Sequence, residues 1–158
     1  MWKKIKPYVI SILIALGVGA LAAYLTMDSM SIYSQINQPS LSPPGWLFPV
    51  VWSVLYILMG ISAALIYTNK EASPQDKKSA LKIYGFQLIV NFFWTLIFFN
   101  LRNWLFAFIW ILLLWVLIII MIARFYKIKP IAGLLQIPYL LWVTFAAYLN
   151  FMIYLLNR

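Results

Sequence analysis

Five stretches of nearly unbroken apolar sequence dominate this chain, at residues 8–26, 46–68, about 81–99, 104–123 and 131–156. Each is close to the ~20 helical residues that cross the hydrocarbon core of a bilayer. Lipid offers the backbone no hydrogen bonds, so each stretch must satisfy its own N–H and C=O groups as a helix. Composition agrees, with 65% hydrophobic and 9% charged residues, where an ordinary soluble domain carries about 25% charged residues. One soluble core of this size could not hide so much apolar surface. The expected fold is an all-α integral membrane protein, a single domain over residues 1–158 built as a bundle of five transmembrane helices. The first stretch has a rival reading, because Lys3, Lys4 and Lys6 precede it and Ala20-Leu21-Ala22 looks like a leader cleavage site. At about 19 residues it exceeds the usual apolar run of a leader, so it reads as a span.

The chain has no cysteine and no histidine, and its carboxylates are Asp28, Glu71 and Asp76 alone. Disulfides, thiolate nucleophiles, zinc sites built on Cys or His, hydroxyl–imidazole triads and His-ligated haem are thereby excluded. So few carboxylates also argue against a metal cage or a paired-carboxylate active site. No glycine-rich phosphate loop is present. The expectation is no metal and no required cofactor.

Twelve Lys and Arg face three acids. They sit between the apolar stretches, so they read as topology signals and as attraction to membrane lipid rather than as a nucleic-acid surface. With five crossings the N-terminus, second loop and fourth loop share one side. That side holds Lys3, Lys4, Lys6, Lys70, Lys77, Lys78, Lys82, Arg124, Lys127 and Lys129, leaving Arg102 and Arg158 for the other. The positive-inside rule places the N-terminus in the cytoplasm and the C-terminus outside, in what reads as a bacterial cell membrane.

No ionisable Asp, Glu, Lys, Arg or His lies mid-span, which argues against a proton-coupled pump or charged pore. Aromatic and amide groups recur at helical spacing instead. Pro49, Trp52 and Tyr56 share one face, Gln87 and Asn91 another beside Tyr84 and Trp94, and Tyr139, Trp142, Ala146 and Leu149 a third beside Asn150. Singly, such residues pack a bundle or belt the membrane interface. Together they suit a flat hydrophobic ligand stacked between indoles, with room left at Ala146 and an amide for one polar contact. Ala15, Gly19 and Ala23 form a small-residue stripe for close helix packing or dimerisation, echoed by Gly60 and Ala64. The proline-rich loop Gln38–Trp46 reads as a semi-rigid lid over the bundle mouth. Pro138 is expected to kink the fifth span.

The segments PSLSPPGWLFPVVWSVLY, NFFW and PYLLWVTFAAYLN, in that order, resemble the signature blocks of the translocator protein family, TspO/MBR, also known as tryptophan-rich sensory proteins or peripheral-type benzodiazepine receptors. The resemblance runs from about Ile32 to the end. It implies a five-helix bundle, often a homodimer, with a pocket beneath the first loop for porphyrin, haem or other lipophilic molecules. Trp52 and Trp142 match the tryptophans tied to porphyrin photochemistry. Asn91, Trp94, Ala146 and Leu149 match pocket-lining positions, with Tyr56 and Pro43 near the mouth. The chain departs from the family pattern at Ile32-Tyr33, at Pro39-Ser40-Leu41-Ser42, and early in the fourth helix, where an acidic residue common in the family is missing around Phe108 and Trp110. Leu149, Tyr154 and Arg158 fit a degenerate sterol-type pattern that chance explains as well. Three functions remain in view: a receptor or carrier of hydrophobic tetrapyrroles, a light-dependent porphyrin-degrading enzyme, and a transporter of lipophilic compounds.

Overall fold

A computed structural model describes residues 1–158. The order of elements is α1 (Trp2–Thr26), α2 (Ile32–Gln35), α3 (Leu47–Tyr67), α4 (Pro74–Leu96), α5 (Trp104–Ile128), α6 (Pro130–Leu134) and α7 (Ile137–Leu156). Helix α4 runs directly into a π-helical turn over Ile97–Leu101. Five helices are long and apolar enough to cross a membrane, the fifth formed by α6 and α7 together, and there is no strand. The fold is the all-α transmembrane bundle expected from the apolar stretches.

Helix ends depart from the apolar boundaries for local reasons. Helix α1 starts at Trp2, carrying Lys3, Lys4 and Lys6 as helical residues at the polar end of the span. Helix α4 starts at Pro74 because Ser73 caps it: the Asp76 N–H donates to Ser73 Oγ at 3.1 Å, and Ser73 Oγ donates to Asp76 Oδ2 at 2.7 Å. Proline at the first helical position costs that helix nothing, since its missing N–H would have had no partner. The same rule corrects the kink expected at Pro138. The chain breaks between α6 and α7, and Pro138 sits in the first turn of α7. At the break the Gln136 N–H donates to Gly133 O at 3.0 Å. Ala132 O, four residues before Gln136, accepts instead from Ser62 Oγ of α3 at 2.6 Å. A side chain from a neighbouring helix thus satisfies a carbonyl that an interrupted helix would leave unpaired in the bundle interior.

The core is a single cluster drawn from all five spans, including Met59, Ile66, Ile111, Leu114, Ile118, Met121, Phe125 and Val143. Helix α1 packs most extensively on α3 and also touches α4, while α5 lies against α4, α6 and α7. The α1–α3 seam rests on small residues. Ala15 is fully buried, and a Cβ added to Gly60 would lie 2.5 Å from the Ile12 Cα, so the backbones meet there without side chains between them. Gly19 faces the ring of Tyr56 just as closely. The small-residue stripe therefore serves packing within the chain at Ala15 and Gly19.

Candidate ligand-binding site

A cavity of about 640 Å³ opens within the half of the bundle that lies under the first loop. Its depth follows from which parts of each helix line it. Helix α1 contributes its C-terminal half (Leu16 to Ala23), α3 its first turns (Phe48 to Tyr56), α4 its end and the π turn (Trp94 to Phe99), and α7 its C-terminal half (Ala146 to Ile153). No lining residue is charged, and aromatic rings supply much of the wall. The volume lies inside the roughly 300–1,000 Å³ range of ligand pockets.

Polar groups in the wall are largely committed to partners. Asn150 Oδ1 accepts from Trp94 Nε1 at 3.1 Å, and Asn150 Nδ2 donates to the Trp104 carbonyl at 2.8 Å, which fixes the Trp94 indole in place. Ser53 Oγ donates to Pro49 O at 2.7 Å. What such a wall offers a guest is apolar area and ring faces rather than free donors.

Behind the wall runs a ladder of neutral side chains. Asn91 Nδ2 donates to Tyr56 Oη at 3.4 Å and to Tyr139 Oη at 3.1 Å. Tyr139 Oη donates to Gln87 Oε1 at 2.7 Å. These bonds join α3, α4 and α7 in the interior, where an unpaired amide would be costly. Trp52 packs on the ladder, with ring centroids 5.7 Å from Tyr56 and 6.1 Å from Tyr139.

The lid is pinned at several points. Tyr33 Oη donates to Pro43 O at 3.1 Å, and Gln38 Nε2 donates to Tyr33 O. Burial pushes the Tyr33 phenol above its ordinary pKa, so it remains a neutral donor. Asn37 N donates to Asn157 Oδ1 at 2.9 Å and Asn157 Nδ2 donates to Asn37 O at 2.8 Å, tying the loop to the end of α7. Across the mouth, Asn100 Nδ2 of the π turn donates to Leu25 O at the end of α1 at 3.0 Å.

Of the residues singled out from the sequence, Trp52, Tyr56, Trp94, Ala146 and Leu149 line the cavity. Asn91, Pro43 and Trp142 do not. Asn91 stands one layer back as the hub of the ladder, and Pro43 accepts the lid's hydrogen bond. Trp142 packs edge-on behind Phe48, with ring centroids 5.7 Å apart. Phe48 in turn meets Tyr33 of the lid at 5.1 Å. Reading the sequence missed Phe48, Phe98 and Phe99. Phe48 was legible, four residues before Trp52 on the same helical face. Phe98 and Phe99 lie in the π turn at the end of α4, and the sequence gives no sign of that turn.

A family model described as the TspO/MBR family matches residues 11–156. The chain is similar to the tryptophan-rich protein TspO of Chlorobaculum tepidum, 35% identical over 99% of both chains. It is 38% identical to protein CrtK of Rhodobacter capsulatus, covering 79% of this chain and 78% of that one. It is 29% identical to the translocator protein of Homo sapiens, covering 80% of this chain and 75% of the other.

Proposed function

Since the chain belongs to the TspO/MBR family of membrane proteins, we propose that it is a receptor or carrier for hydrophobic tetrapyrroles, porphyrin or haem, held inside the bundle. The observation that carries this reading is the uncharged, aromatic-walled cavity of about 640 Å³ beneath a pinned lid. Stacking on Trp52, Phe48 and Phe98 supplies the affinity, and ring contacts of this kind are each worth about 0.5–1.5 kcal/mol beyond area burial. Without a cation in the wall, acidic substituents of the guest belong at the mouth, in water. With no His or Cys in the chain, axial ligation of an iron would fall to weaker groups such as Tyr or Met, so stacking and burial are the main hold on the macrocycle.

A second reading, light-dependent breakdown of bound porphyrin, is favoured by the position of Trp52. Its indole is in the wall, able to pass an electron to a photoexcited ring in contact with it, and the ligand itself supplies the photochemistry. Trp142 stands behind Phe48, so its part would be relayed. The expected outcome is that Trp52→Phe weakens dark binding by less than about tenfold, since a ring is retained. Light-driven loss of the Soret band, compared at matched occupancy, falls far more, and falls further in Trp52→Phe than in Trp142→Phe. Decay equal to wild type in both variants leaves these tryptophans as binding residues alone.

We infer that the N-terminus is cytoplasmic and the C-terminus external in a bacterial cell membrane, because ten of the twelve basic residues lie at the N-terminal end of the bundle. Reporter fusions after Arg158 and within the loop at residues 69–73 should mark opposite sides. Marking of one side by both removes this orientation.

A further inference from the structure

At the other end of the bundle, on the basic side, a second cleft of about 580 Å³ lies between the α3–α4 loop, the start of α4 and the end of α5. Glu71, Asp76, Ser79, Arg124 and Lys127 line it. Two of the chain's three carboxylates thus share one cleft with two cations. Their hydrogen bonds go elsewhere than to each other. Arg124 Nη1 donates to Ser79 Oγ at 2.8 Å and to Ser79 O at 3.4 Å, leaving most of its five donors uncommitted. Asp76 Oδ2 accepts from Ser73, which leaves its other carboxylate oxygen. Neighbouring Lys77 is occupied, its Nζ donating to Asn69 O at 2.9 Å and Tyr67 O at 3.3 Å at the end of α3.

The cleft stands at the head of an apolar track. Along α5, Ile109, Leu113, Val116 and Ile120 follow one another at intervals of four and three, and the same face continues to Arg124 and Lys127. All four apolar residues are exposed, so in a membrane they face acyl chains. Charge lies where headgroups lie and hydrocarbon lies directly beneath it.

We propose that this cleft seats the headgroup of a phospholipid with a primary ammonium, of the phosphoethanolamine type. Arg124 and Lys127 take the phosphate, Glu71 and Asp76 take the ammonium, and an acyl chain follows the α5 track. A guanidinium recognises phosphate by directed N–H donation. A primary ammonium offers three N–H donors to the carboxylates, which a trimethylammonium headgroup cannot. A glycerol headgroup satisfies the two cations and leaves both carboxylates facing an anionic lipid.

The test is retention of added lipid by the purified, delipidated full chain, read by native mass spectrometry. Phosphatidylethanolamine, phosphatidylglycerol and phosphatidylcholine with identical acyl chains are compared with soluble glycerophosphoethanolamine. Phosphatidylethanolamine should be held about fivefold or more above the other two lipids. Glu71→Gln, a change in an exposed loop, should lower phosphatidylethanolamine retention and leave phosphatidylglycerol unchanged or raised. Arg124→Gln should lower both. Equal retention of the three lipids, or a ranking unmoved by Glu71→Gln, overturns the proposal and leaves a solvated cluster of charges. Soluble headgroup binding as tightly as the lipid overturns the acyl track and assigns the cleft to a free amine phosphate.

Discussion

Gly60→Ala is expected to lower the melting temperature in detergent by about 6–12 °C. The new Cβ would lie 2.5 Å from the Ile12 Cα and 2.7 Å from the Ile12 N. Those are backbone atoms, so no rotamer change relieves the clash and α1 must move off α3. Overpacking typically costs about 1–3 kcal/mol, and a rigid contact belongs at the upper end, each kcal/mol corresponding to about 2–4 °C in a chain of this length. Ligand affinity should fall with it, because α1 forms one wall of the cavity. Gly17→Ala is the matched control. Nothing lies within 4 Å of its added Cβ, and the gain in helix propensity should leave stability equal or slightly higher. Similar melting temperatures for the two variants would mean that the α1–α3 seam is not tight at Gly60.

Ala146→Phe is expected to abolish ligand binding, a loss of about 100-fold or more, while leaving the fold standing. Ala146 is buried in the α7 wall of the cavity, so a benzyl group there has existing space to enter. Losing 100-fold corresponds to about 2.7 kcal/mol, a modest share of what several stacked rings and a buried macrocycle supply. Dark titration with a porphyrin gives the affinity, and thermal unfolding without ligand shows whether the bundle persists. Undiminished binding by a folded Ala146→Phe protein would put the ligand elsewhere.

The five spans were legible because a bilayer imposes length and apolarity on each helix, and both are written directly in residues 8–26, 46–68 and the rest. The site was legible as faces but not as depths. Spacing placed Asn91 and Trp94 on adjoining parts of α4, yet Trp94 reaches the cavity while Asn91 points into the ladder behind it. Trp142 and Ala146 share a face of α7 in the same way, and only Ala146 reaches the cavity, because Phe48 from α3 stands in front of the indole. Helical spacing carries no information about what the facing helix sends across. The π turn was illegible for a different reason. Inserting one extra residue into a turn shifts every later face, and Ile97-Phe98-Phe99-Asn100-Leu101 carries no glycine or proline to announce it. Pro138 was read correctly as a disturbance and misplaced by a few residues, since proline is better accommodated just after a break than within one.

The ladder of Tyr56, Asn91, Tyr139 and Gln87 also constrains how the chain is made. Helix α4 has the lowest mean hydropathy of the five spans, and it carries Gln87 and Asn91 in its interior. Their partner Tyr139 lies on α7, which emerges from the ribosome after α4. During synthesis α4 therefore enters the bilayer with Gln87 lacking its tyrosine and Asn91 reaching only as far as α3. Amides in hydrocarbon without their partners are costly, so α4 is less stable in the bilayer before α7 packs against it. Arrival of α7 supplies Tyr139, which donates to Gln87 Oε1 and accepts from Asn91 Nδ2, so the amides of α4 gain these partners only once α7 has packed against α4.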